Sequence, residues 1–188
     1  MHTQIIWPEH WNNGHPLLND EGVPFFLFTV DGIHCSTYEP KHPLFGKNPA
    51  FYSYKVNMAA LMYEIGVHVY ENAIIWLKGG KPAATHDITT YREELKHKVP
   101  VGKKGIADNG YKGEPNTLST PNAHDPEELR RFKSRARARH ESLNARIKNF
   151  KCLAERFRHG IEKHHICFEA VCVIVQYQME NGSPLFDV

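Results

Sequence analysis

Apolar positions in this chain follow two patterns, near-continuous runs in the first half and helical spacing in the second. Residues 23–38 (VPFFLFTVDGIHCSTY) are hydrophobic on both faces as far as Val30, the pattern of a central strand. Residues 39–50, carrying several prolines and a glycine, predict a loop. Residues 51–63 and 67–77 predict two further strands turning around Glu64 and Gly66, the second closed by Gly79 and Gly80, so that the three strands make an antiparallel meander. Residues 87–98 predict a helix with Asp87 as its N-cap. Residues 105–111 (GIADNGY) predict a short strand running into a turn, and 112–124 a loop. A long helix opens at Asp125, with Pro126 in the first helical position and Glu127 and Glu128 in the first turn. Its stop is Gly160, with a bend on the way, and a final apolar helix covers residues 165–179. Three strands, a helix, a strand and two helices predict an α/β fold: a mixed sheet, the meander plus one parallel strand, flanked by helices.

A length of 188 residues fits one domain. We expect an irregular leader over residues 1–22 and a folded domain over 23–188. No stretch approaches the roughly 20 apolar residues of a membrane span. No basic region precedes an apolar one near residue 1, so a soluble, non-secreted protein is expected. The net charge of +2 is small, but between Arg130 and Arg158 eleven basic residues face two acids, Glu141 and Glu155. Such a stripe is either a solvated helix face or a footprint for a polyanion. The four cysteines lack the paired spacing of a zinc site or a disulfide framework. His164, His165, Cys167 and Cys172 lie in an apolar helical run, where core packing is the simpler reading than zinc.

The candidate chemistry lies in a few acids. At about 100° per residue, Arg137, Glu141, Asn144 and Lys148 fall within an arc of roughly 60°, with Leu143, Ile147, Phe150, Ala154 and Phe157 on the other side. A lone carboxylate therefore stands among cations on the polar face. Upstream, Asp31 and Asp108 each end a strand-like run. Singly, each acid has a plain alternative: a turn for Asp31 in VDGIH and for Asp108 in ADNGY, a helix cap for Asp87 in THDIT, a salt-bridged helix residue for Glu141. Jointly, two strand-borne aspartates and one helix-borne glutamate can hold divalent metals of the kind that act on phosphodiesters. His86 and His140, each preceding a candidate ligand, suit an orienting role better than ligation of a hard cation.

These residues resemble the DDE-type transposase endonucleases, in particular the Harbinger-like group and its bacterial insertion-sequence relatives. The likeness runs from about Phe26 to Val188 and rests on VDGIH, THD, ADNGY and the helix RARHESLNARIKNFKCLAERFRH. The bacterial signature of Tyr, two residues, Arg, three residues, Glu, six residues, Lys is met by Arg137, Glu141 and Lys148, with Ser134 in the Tyr position. The fold implied is RNase H-like, in keeping with the order of elements.

The resemblance implies catalytic Asp31, Asp108 and Glu141, with Asp87 as a further metal ligand. It implies Mg²⁺ (or Mn²⁺), two ions, with Asp31 bridging them, and phosphodiester hydrolysis followed by transesterification into a second duplex. Arg135, Arg137, Arg139, Lys148 and Lys151 would contact the DNA backbone. Residues 1–22 hold no counterpart of the family's DNA-binding module. The chain is therefore expected to be a catalytic domain, a truncated copy or a fragment, with a separate DNA-binding partner protein and a homo-oligomer as open possibilities. Nuclear residence is implied for a eukaryotic source, cytoplasmic otherwise. The alternatives are a domesticated, non-catalytic descendant that binds DNA or protein, and another RNase H-like nuclease acting on hybrids or branched DNA.

Overall fold

The first long apolar run forms the middle of a sheet. A computed structural model describes residues 25–39, 41–42 and 46–188, so the expected leader over 1–22 lies outside the described residues. In chain order the elements are β1 (Phe25–Ser36), β2 (Lys41–His42), β3 (Gly46–Lys47), β4 (Tyr52–Ser53), β5 (Met58–His68), β6 (Ile74–Pro82), α1 (Asp87–Glu93), β7 (Lys103–Ile106), β8 (Leu118–Ser119), α2 (Glu127–Lys148), α3 (Lys151–Ala154) and α4 (His164–Glu180). The main sheet runs β4-β5-β1-β7-β8, with β6 on the other flank of β5. β1, β5 and β6 are antiparallel, while β7 and β8 continue parallel to β1. This is the expected mixed, RNase H-like sheet with helices against it.

Both faces of the sheet are covered, which explains why β1 reads as apolar on both faces as far as Val30. On one face Ile33, Cys35, Tyr63, Ile65 and Val67 meet Leu143 and Ile147 of α2 and Phe168, Cys172 and Val175 of α4. On the other, Phe28, Val30 and Trp76 meet Tyr91 and Leu95 from the α1 segment. No helix among the described residues is long and apolar enough to cross a membrane.

Three boundaries differ from the sequence reading. The meander is there, but Glu64 and Gly66 lie inside β5 rather than at a turn. The chain reverses after His68 instead, and the strand begins after Asn57, whose φ of 55° marks the turn before it. Glu64 is tolerated mid-strand because Trp76 Nε1 donates to its Oε2 at 2.9 Å. Likewise β6 continues through Gly79 and Gly80, where the pairing with β5 shifts register. Gly79 is needed there, with φ of 154° and Tyr63 backbone 2.5 Å from where a Cβ would stand.

The helix boundaries differ too. α1 begins at Asp87, which is its first helical residue rather than its cap, and His86 in the cap position makes no side-chain capping bond. α2 has Pro126 at its cap, while Asp125 pairs with Lys133 at 2.6 Å. α2 also stops at Lys148 rather than running to Gly160. Lys148 Nζ donates to Leu153 O at 2.9 Å, turning the chain into α3, and Phe157 N then bonds to Ser36 O beside β1. Burying Leu153 and Phe157 against the sheet outweighs continuing a helix into solvent.

Much of the basic stripe on α2 is spent within the fold. Arg139, only 2% exposed, donates to His68 O at 2.6 Å, Glu71 O at 2.7 Å and Phe186 O at 2.9 Å. Arg135 donates to Asp187 O and stacks on Phe186, and Arg146 donates to Ser183 O and Pro184 O. The arginines thus strap residues 183–187 along the helix. Because Arg139 serves buried carbonyls, Arg139→Ala should cost about 3 kcal/mol in urea unfolding, against roughly 0.5 kcal/mol for the exposed Arg135→Ala. Equal losses would contradict this division of labour.

Candidate active site

α2 runs in the same direction as β1 across the sheet, and the two elements share a step length. Four residues of helix rise about 6 Å, and two residues of strand about 6.6 Å. His140 and Asn144 accordingly meet β1 two residues apart, and the longer Lys148 side chain reaches three residues further along the strand. Thr29 Oγ1 and His140 Nδ1 are 2.7 Å apart. Asn144 Nδ2 donates to Asp31 Oδ2 at 2.9 Å. Lys148 Nζ donates to His34 O at 2.5 Å. Asp31 is further fixed by Gly32 N, which donates to its Oδ1 at 2.8 Å.

β7 lies parallel to β1 and delivers Asp108 just past its end. There Asp108 caps a short turn, its Oδ1 accepting from Gly110 N at 2.8 Å. Asp31, Asp108 and Glu141 line one cleft of about 130 Å³ with Thr29, Val30, Arg137 and His140. Asp31 from β1, Asp108 past the end of β7 and Glu141 from the middle of α2 are thus brought to the walls of one cleft.

Asp87 sits beside the cleft rather than on its wall, close to two glycines. A Cβ on Gly32 would lie 2.4 Å from Asp87 Oδ1, and one on Gly110 would lie 3.1 Å from Asp87 Oδ2 and 3.0 Å from Asp108 Oδ1. Gly32 therefore follows Asp31 to leave room for another acid's carboxylate, and the Asp-Gly pair marks no hairpin. Lys55 Nζ stands 3.6 Å from Asp87 Oδ2.

Crowding of acids shows in their protonation. Burial pushes Asp31 up to about 6, and the charges of Asp108 and Asp87 add to it, against the Gly32 amide and Lys55. Asp87 is raised by burial and by Asp108, with Lys55 opposing. His140 is held down at about 3 by burial and by Arg139, so it is neutral, and its buried Nε2 has no partner among the described residues. Behind Asp87, the fully buried Glu64 is raised to about 8 by burial, the charge of Asp87 adding and the Trp76 bond opposing.

Of the five cations predicted to contact DNA, Arg137 alone lines the cleft, and its Nε is buried without a partner among the described residues. Arg135 and Arg139 face residues 186–187, as described above. Lys148 is occupied by His34 O and Leu153 O. Lys151 is exposed on α3, away from the cleft lining. The sequence reading missed Thr29, Lys55 and Glu64. Thr29, two residues before Asp31 on the same strand face, was open to discovery by alternation; Lys55 and Glu64 had no local signal.

A family model described as DDE superfamily endonuclease matches residues 30–176 of the chain. No curated protein and no solved structure matches it.

Glu64 gives this region a pH signature. Its carboxyl keeps its proton in the folded chain up to about 8, against 4.5 for an ordinary glutamate. Its contribution to stability is fully present below pH 4.5 and is lost as pH rises through 8. Glu64→Gln should therefore melt progressively higher relative to wild type as pH is raised from about 5 to about 8.5. Parallel melting curves for the two proteins would show that Glu64 is ionised throughout.

Proposed function

The chain belongs to the DDE superfamily endonucleases, a transposase-type nuclease family, and on that premise we propose that its cleft cuts and rejoins DNA phosphodiesters with Asp31, Asp108 and Glu141 as the metal-binding acids. The observation that carries this reading is the meeting of those three acids beside Arg137 in a single cleft.

The donor set suits hard divalent cations such as Mg²⁺ or Mn²⁺: carboxylate oxygens, with the nearest imidazole engaged by Thr29. Among the described residues no three such side chains stand close enough to enclose an ion as they are. Ligation therefore requires a rotamer change, for which Glu141, exposed on α2, has the freedom. Two ions, when bound, would supply charge neutralisation at the phosphodiester and activation of the attacking oxygen.

The chain's own residues do the rest. Asp31 is the fixed member, since Gly32 N and Asn144 orient both its oxygens. Asp108 is held by its own turn, and Asp87 adds negative charge from behind Gly32. Arg137 offers its guanidinium to the phosphate entering the cleft. Attack by a water oxygen on phosphorus breaks the P–O3′ bond and frees a 3′-OH. In strand transfer that 3′-OH attacks the phosphorus of a second duplex, breaking the P–O3′ bond there, and the displaced O3′ leaves as a new 3′-OH.

Glu141→Gln should reduce Mg²⁺-dependent nicking of supercoiled plasmid by about a hundredfold or more. DNA binding should be kept or tightened, because a negative charge leaves the neighbourhood of a polyanion. Nicking at the wild-type rate would remove Glu141 from the site. Calorimetric titration with Mg²⁺ should give binding heat for wild type and a weakened isotherm for Asp31→Asn. An absence of heat in wild type would favour the non-catalytic descendant, a DNA- or protein-binding module.

A further inference from the structure

The internal use of most of the basic stripe leaves a specific remainder. Between Arg130 and Lys148, Arg135, Arg139 and Arg146 bond backbone carbonyls, Lys133 pairs with Asp125, Arg131 with Glu127, and Lys148 closes the helix end. Arg130 and Arg137 are left, with no ion pair or side-chain hydrogen bond among the described residues. One heptad apart, they lie on the same face of α2, and both line a second hollow of about 280 Å³ roofed by Pro121, Asn122 and Ala123.

The charge of this hollow is uneven in a useful way. At its floor Asp125 and Lys133 cancel each other, and Lys133 Nζ is held as well by Thr120 O at 3.2 Å. The two free guanidinium groups therefore set its potential. Arg137 also belongs to the cleft that holds Asp31, Asp108 and Glu141, so it is the wall common to both cavities. A polyanion leaving the cleft along α2 toward its N-terminus meets the hollow next.

We infer that this hollow between the β8–α2 loop and α2 is a subsite for a DNA phosphate flanking the scissile one, gripped by Arg130 and oriented by Arg137. The inference rests on the cleft being the phosphodiester site. It fixes the path of the strand: along the N-terminal half of α2, over Pro121–Ala123, and away from the α2 face carrying Arg135, Arg139 and Arg146. The helix rises about 10 Å from Arg137 to Arg130. At 3.4 Å per nucleotide along one strand, the gripped phosphate lies on the order of two or three nucleotides from the cut.

The test is fluorescence anisotropy of the full chain with a labelled duplex of arbitrary sequence, titrated in KCl. Loss of one phosphate contact on B-DNA should make the log Kd against log salt slope shallower by about 0.9. Arg130→Ala should show that change together with a three- to tenfold weaker Kd at low salt. Arg131→Ala, which removes the same charge one residue away but on another face, should keep the wild-type slope. An unchanged slope in Arg130→Ala, or an equal change in both variants, overturns the subsite. Because the slope is read without cleavage, its failure is separable from that of the catalytic reading: a wild type that binds but never nicks overturns the latter alone. Where nicking is present, Arg130→Ala should raise KM with kcat kept, and a fall in kcat with KM unchanged overturns a binding role.

Discussion

The seam between β1 and α2 is the constraint on which the site depends. Most of the contact beneath it is apolar, with Leu143 and Ile147 buried against the sheet, and apolar surfaces slide at little cost because their attraction has no direction. The polar contacts do have direction. Thr29 with His140, Asp31 with Asn144 and His34 with Lys148 lock the helix to the strand at three consecutive steps. The first two hold because four residues of helix and two of strand advance by nearly the same distance, and the long Lys148 side chain spans the three-residue step from Asp31 to His34. A one-residue slip of the helix would rotate Glu141 by about 100°, out of the cleft. Neutral His140 suits this seam, since a charged imidazole there would be buried beside Arg139.

The remainder of the site hangs from that seam through the sheet. Parallel pairing of β7 to β1 brings Asp108 level with Asp31 without any direct bond between the two acids. Asp87 arrives from the opposite face, across a gap that two glycines keep open. Burial does most to raise the proton affinity of Asp31, and the charges of Asp108 and Asp87 add to it.

How much of this was legible in the sequence depends on the range of the interaction. β1 and α4 announced themselves through local apolar pattern, and the Arg137, Glu141, Asn144 arc followed from helix periodicity alone, whereas β7 lies at Lys103–Ile106 rather than over 105–111 because it opens on two lysines with no apolar pattern. The turn of the β5–β6 hairpin was misplaced because Glu64 and Gly66 resemble punctuation; a tryptophan twelve residues later donates to one oxygen of the glutamate. The end of α2 was missed for a similar reason, since what stops it is an extended segment pairing with β1, and no local residue signals that. Charge misled most. Eleven cations between Arg130 and Arg158 looked like a DNA-binding face, yet several donate to carbonyls at 183–187, and composition cannot separate a guanidinium turned inward from one turned out.

Gly32 carries a meaning for how such a site can be lost. The position has no functional group, yet even a methyl group there would collide with the Asp87 carboxylate. Substitution at this single position would displace the Asp87 carboxylate while every acid stayed unchanged in the sequence. A count of carboxylates along the chain would miss such a change, because what Gly32 supplies is room rather than a functional group.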